Sequence, residues 1–149
     1  MSSYVKTYES IAPAIITQSV VLPNVEIKEN PDVPYFHTAN AVWDTGAELT
    51  IIKHSIVERL HLQPAEKSAV EGIGGVLESN IYQVHIGLPN GDLIRDVEVM
   101  EMPDETIDYD VIIGMDIISE CDVAITHRHG KTKFTFDRPA SRDIDFTLA

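Results

Sequence analysis

The sequence predicts a mostly-β domain with two short helices and a glycine-rich hairpin. Three observations carry this. Tyr82, Val84, Ile86 and Leu88 alternate with Gln83, His85 and Gly87, the period-2 pattern of a half-buried strand. Asn90-Gly91 follows at once, a strong short hairpin signal. The segments with helix character are short, near residues 55–60 and 115–118.

The elements follow in chain order. Residues 1–43 read as extended, with residues 11–22 the first strand candidate. Asn30-Pro31-Asp32-Val33-Pro34 reads as a turn or loop, because each proline pushes the residue before it out of the helical region. A strand over residues 40–43 runs straight into Asp44-Thr45-Gly46, and Leu49-Thr50-Ile51-Ile52 is again strand-like. Ser55-Ile56-Val57-Glu58 fits a capping box with Ser55 at the N-cap, opening a short helix to about Leu60 that Pro64 ends. Glu71-Gly72-Ile73-Gly74-Gly75 suits a flexible hairpin tip, since glycine accepts positive φ without steric cost. The strand returning after Asn90-Gly91 is expected to carry Leu93, Val97 and Val99 on one face. Val111-Ile112-Ile113 ends at Gly114 and gives way to a helix beginning at Met115, and residues 123–126 and 133–136 flank His129-Gly130 as a last hairpin. A single domain accommodates all of this, with a core at about 40–137, an N-terminal extension 1–39 and a C-terminal tail 138–149.

Composition narrows the function classes. The 149 residues are 44% hydrophobic and carry a formal charge of −13, so polyphosphate is repelled and nucleic acid is excluded as a partner. An anionic membrane surface is disfavoured for the same reason, and no apolar run reaches the ~20 residues of a membrane helix. Residues 11–22 are broken by Pro13, Thr17, Gln18 and Ser19, which argues against a secretion signal. Cys121 is the single cysteine; it excludes an internal disulfide and a multi-cysteine metal site, and reads as a small buried hydrophobe near a helix end. A cytoplasmic, reducing location is the expectation. His127 and His129 lack further converging ligands, and Asp104, Glu105, Asp108 and Asp110 lack the spacing of a calcium loop, so no metal and no cofactor is expected; a solvated loop is the simpler reading of the acidic stretch. Gly72, Gly74 and Gly75 lack the Lys-Ser/Thr ending of a phosphate loop.

Asp44-Thr45-Gly46 is where the chemistry concentrates. Peptide hydrolysis without a metal or nucleophilic side chain requires an activated water and an acid for the leaving amine, and two carboxylates sharing one proton supply both. An Asp on a tight turn that Gly46 permits suits one half of such a pair. The tripeptide alone is weak, but it has company. Ala41-Val42-Trp43-Asp44-Thr45-Gly46-Ala47 resembles the catalytic segment of the retropepsins, the single-domain aspartic proteases of retroviruses and their relatives. Gly72-Ile73-Gly74-Gly75 is similar to the family's flap tip, and Val111-Ile112-Ile113-Gly114-Met115-Asp116-Ile117-Ile118 to its second signature, in the family's order.

The resemblance implies a retropepsin-like closed β-barrel with a flap, and an aspartic endopeptidase with Asp44 catalytic. It places Thr45, Gly46 and Ala47 in the active-site loop, with Thr45 gripping its twin across a dimer axis. Glu48, Leu49 and Ile51 would meet substrate, as would Gly72, Ile73, Gly74 and Gly75 of the flap and Ile112 and Ile113 behind the loop. Gly114 and Asp116 would be structural. Trp43 is bulkier than the family's usual aliphatic, and Glu48 stands where viral enzymes carry Asp. The tripeptide occurs once, so one chain supplies half a site and a homodimer acting on peptide or protein substrates completes it. The alternative from another class is a catalytically inactive retropepsin-fold dimerisation or peptide-binding module.

Overall fold

The computed structural model describes residues 2–24, 36–72, 75–106 and 108–148, with residues 66–72, 75–78 and 106 described by their backbone. The expected turn around Pro31 and Pro34 lies outside the described residues.

Ten strands and two short helices follow the order β1 (Ser2–Thr7), β2 (Ile16–Pro23), β3 (His37–Trp43), β4 (Ile51–Lys53), α1 (His54–Arg59), β5 (Glu66–Gly72), β6 (Gly75–Gly87), β7 (Leu93–Met102), β8 (Val111–Ile113), α2 (Met115–Ile118), β9 (Asp122–Thr126) and β10 (Lys133–Arg138) among the described residues. Strands β2, β3, β8, β4, β7 and β6 hydrogen-bond in that order, and β6 returns to β2 through Val20–Gly87 and Val21–Ile86, closing the sheet into a barrel. Closure removes the open edges that such a sheet would otherwise present. Val21, Ala41, Ile52, Val84, Ile86, Val99, Val111 and Ile113 point inward with no exposed surface. Each buried Val or Ile contributes about 1.5–3 kcal/mol relative to exposure.

A second sheet, β1-β10-β9, lies against the barrel. Trp43 joins the two, with its ring 5.0 Å from Phe134 and 4.9 Å from Phe136. Its Nε1–H donates to the buried Thr17 hydroxyl at 2.9 Å, so a bulky residue before Asp44 fills the space between the layers and keeps its polar atom satisfied.

Several expectations are corrected. Residues 11–22 do not form one strand: the chain bends around Pro13, and β1 and β2 lie on either side of it in different sheets. Both strands come from the segment set ahead of the core. Leu93 is 38% exposed, whereas Ile94, Val97 and Val99 are buried. The phase changes because His85 faces two residues, Arg95 and Asp96, between the pairs Ile86–Ile94 and Val84–Val97. Asp96 takes φ 54° there, and its N–H donates to His85 Nδ1 at 3.0 Å, a β-bulge that shifts the side-chain phase by one. Ser55 does not cap α1. The cap position is Lys53, and the Ser55 N–H is satisfied by Asp104 Oδ1 at 3.1 Å. The Asn90-Gly91 hairpin forms as expected, with Gly91 at φ 94° between β6 and β7.

Candidate active site

Two loops meet at one end of the barrel. Strand β3 runs parallel to β8, pairing Ala41 with Val111 and Trp43 with Ile113, so both strands end on the same side. Asp44 and Gly114 therefore emerge as neighbours, and the Asp44 N–H donates to Ile113 O at 2.9 Å. Strand β4, antiparallel to β8 and parallel to β7, then carries the chain back into the barrel.

The Asp44 side chain is exposed, and its Oδ1 accepts the Gly46 N–H at 2.8 Å. A Cβ on Gly46 would sit 3.2 Å from that oxygen, so glycine leaves the carboxylate room to turn back over its own loop. Thr45, Gly46 and Glu48 are exposed, Ala47 and Ile51 are half-buried, and Leu49 is 37% exposed. On the facing strand Ile112 is half-buried and Ile113 fully buried.

Thr50 locks the two loops together. Its hydroxyl, with no exposed surface, donates to Asp116 Oδ1 at 2.8 Å and accepts the Gly114 N–H at 3.2 Å; its N–H donates to Asp116 Oδ2 at 3.1 Å. Backbone bonds from Met115 N–H to Ala47 O (2.7 Å) and from Asp116 N–H to Glu48 O (3.2 Å) complete the seam. Gly114 is required by proximity: a Cβ there would stand 2.7 Å from the Leu49 carbonyl carbon and 2.9 Å from Ala47 O. Asp44 is thereby held on a loop whose own carbonyls are bonded to α2. A rigidly placed, solvent-facing carboxylate is what a proton-transferring site needs.

The structure thus brings Asp44, Ala47, Glu48, Ile113, Gly114 and Asp116 into one seam. Gly72 and Gly75 are paired at the end of the β5–β6 hairpin, while Ile73 and Gly74 lie outside the described residues. Thr50 is the member that sequence reasoning missed. A β-branched residue in a strand-like run reads as a strand former, and only the approach of α2 reveals the hydroxyl's task. The acidic stretch likewise has structural work: besides Asp104 at α1, Asp110 Oδ2 accepts the Asn40 N–H at 2.9 Å, and its other oxygen lies 3.8 Å from Lys53 Nζ. Cys121 is buried and its thiol is pushed up to about 11 by burial.

No match was found among curated proteins. Among solved structures, simian foamy virus (mac) protease is similar at 22% identity, covering 53% of this chain and 78% of that one, with a TM-score of 0.42. A retropepsin-like aspartic protease from Rickettsia conorii is 9% identical over 90% of this chain and 93% of that one, with a TM-score of 0.48. The protease of EIAV, complexed with the inhibitor HBY-793, is 24% identical over 71% and 84%, with a TM-score of 0.43. The family model described as retroviral aspartyl protease matches residues 17–126, well over half of the chain, from the second residue of β2 to the end of β9 and including the Asp44 seam. This closed barrel, with Asp44 and Gly114 on adjoining loops, is that of a member of the retroviral aspartyl protease family, to which the chain belongs.

Proposed function

We propose that the chain is an aspartic endopeptidase whose catalyst is a pair of Asp44 carboxylates, one from each subunit of a homodimer. The observation that carries this reading is the lone, exposed Asp44 on a loop pinned by Thr50, Gly114 and Asp116. One carboxylate so placed is half of an acid–base pair, and a two-fold axis beside it supplies the other half.

The chemistry follows from like charges. Two carboxyl groups about 3 Å apart share one proton, because both cannot ionise at that distance. The charged member takes a proton from a water molecule between them as the water oxygen attacks the scissile carbonyl carbon. The neutral member gives its proton to the carbonyl oxygen, forming a tetrahedral diol. In the collapse the charged carboxylate takes a hydroxyl proton from the diol, the C–N bond breaks, and the amine nitrogen takes the proton held by the other carboxyl group. Gly46, Ala47 and Glu48 would line the floor of the site, Leu49, Ile51, Ile112 and Ile113 would shape its pockets, and the β5–β6 hairpin would cover it.

The test is hydrolysis of a mixed peptide library from acidic to neutral pH, with Asp44→Asn as control. Wild-type protein should cleave with a bell-shaped profile whose limbs belong to the pair as a unit. The Asn variant should fold and lose activity by orders of magnitude, because an amide cannot accept the water's proton. Peptide binding without cleavage by the wild type would favour the inactive module instead.

A further inference from the structure

Where β6 leaves the barrel, its ladder to β7 ends at Ile81–Met100, and the strand continues paired to β5 alone. Side chains take over at that point. The Ser79 hydroxyl donates to Glu101 O at 3.0 Å and accepts the Glu101 N–H at 3.2 Å. Glu101 Oε2 accepts the Tyr82 hydroxyl at 2.8 Å and lies 3.4 Å from Asn80 Nδ2. Its other oxygen meets His54 Nδ1, and His54 Nε2 lies 2.8 Å from Glu58 Oε1. Glu101 also pairs with Ile52 of β4, the strand that descends from the Asp44 loop, and His54 is the first residue after that strand. The cluster therefore spans the base of the β5–β6 hairpin and the chain leaving the candidate active site. It borders a cavity of about 540 Å³, whose lining includes Asp104 and Glu105 and no residue of the Asp44 seam.

Both ring nitrogens of His54 face carboxylate oxygens, which are acceptors only. A neutral imidazole has one N–H and satisfies one of them; the imidazolium has two and satisfies both. We propose that protonated His54 is a clasp that fixes the base of the β5–β6 hairpin to the strand leaving the Asp44 loop, and that the clasp loosens when the ring loses its second proton and one of the two carboxylates loses its donor. Its consequence for catalysis rests on the protease reading; the clasp itself does not.

The charges around the ring favour this. Hydrogen bonds to Glu101 and then Glu58 raise the His54 pKa above its ordinary value against a small cost of burial. Burial pushes the Glu101 carboxyl up, but hydrogen bonds from His54, Tyr82 and Asn80 outweigh it and hold the group below the usual range. Tyr82 is pushed up to about 12 by burial and by Glu101, so it remains a donor. Across the cavity, Asp104 and Glu105 add negative charge. Lys53 is turned toward Asp110 and Arg59 sits in the last turn of α1, while Ser79 and Asn80 of β6 are uncharged. The position of His54 at the start of α1 opposes a cation, yet that effect is small beside two contacting carboxylates. His54 thus favours the closed base below its raised pKa, and the contribution fades as pH rises through it.

The experiment is amide hydrogen exchange of residues 79–82, corrected for the intrinsic pH dependence of exchange and followed alongside the ring resonances of His54. Protection should fall about tenfold, the scale of one lost charge-assisted hydrogen bond, as the ring titrates above its ordinary value of about 6.5. His54→Gln, a change at a half-exposed side chain, should show no step and stay at the wild-type high-pH level. A wild-type ring that titrates without any change in these amides would overturn the proposal, and so would the same step in His54→Gln. Asp44→Asn should keep the step. A step in wild-type protein that cleaves no peptide retains the clasp and removes the protease reading; cleavage without a step does the reverse.

Discussion

Gly114 and Thr50 show how much of the candidate site rests on contacts too close for ordinary side chains. The Gly114 position has backbone of residues 47 and 49 within 3 Å of any added Cβ, and backbone cannot rotate away as a side chain can. Gly114→Ala is therefore expected to lower stability by about 3 kcal/mol or more, at the upper end of overpacking costs, and to displace the Asp44 loop. Thr50→Val keeps the shape but strands the Gly114 N–H and leaves Asp116 Oδ1 with the Ile117 N–H alone, which should cost roughly 1–3 kcal/mol. Chemical denaturation of both variants checks the order. A Thr50→Val protein as stable as wild type would show that the hydroxyl is not the lock. Asp44-Thr45-Gly46 and Gly114 were legible as motifs, because spacing along the chain reveals them. Thr50 was not, since its partner lies 66 residues away and no local period connects them.

At the scale of elements, local patterns name an element better than they place its ends. The α1 helix is an example: Ser55 and Glu58 have capping-box spacing, but Asp104 supplies the bond and Glu58 turns to His54. Asp104→Ala should thus cost about 1 kcal/mol in thermal or denaturant unfolding, whereas Ser55→Ala should change stability by less than about 0.5 kcal/mol. Equal losses, or a larger one from Ser55→Ala, would restore the local cap. Strand β7 makes the same point, for its buried face follows a bulge at Asp96 that a strict two-residue period cannot foresee. Beyond β10 the chain is tied back by acids. Ser141 and Arg142 N–H groups bind Asp122, and the Arg142 guanidinium lies 2.8 Å from Asp137. The Ser141 N–H, with Arg142, holds the Asp122 carboxyl below the usual range, and Arg142 does the same for Asp137. Lowered carboxyl values mean that the tie is present above the ordinary value of about 3.9 and is lost as pH falls through the lowered one. The amide resonances of Ser141 and Arg142 should hold steady down to about pH 4 and move toward unstructured positions below it. Arg142→Gln should move the Asp137 titration up toward its ordinary value; an unchanged titration would mean that the ion pair is not formed in solution.

For the whole molecule, the proposed dimer would bring together two chains, each with a formal charge of −13. Like net charges repel, and salt screens them over about 10 Å at 0.1 M. Association through the Asp44 loops should therefore strengthen with moderate salt, the opposite of a contact built on attraction between unlike charges. The barrel and its second sheet were legible as a mostly-β domain, because alternation and hairpin signals are local. The joining of β2 to β6 and of β1 to β10 was not, because pairings between distant segments leave no mark on either segment alone. Activity offers a sharper test of the pairing than mass does. Mixing equal amounts of wild-type and Asp44→Asn chains, after exchange of subunits, leaves about one quarter of dimers with both carboxylates if partners assort at random. A mixed pair has one carboxylate and one amide and cannot share a proton in the required way. Activity should fall to about one quarter of that of wild type at the same total concentration, where independent monomers would give one half. The fall should deepen as exchange proceeds and be fastest where dimers are weakest, at low salt. A mixture that held steadily at one half through complete exchange would show that each chain works alone, and the two-fold site would have to be given up.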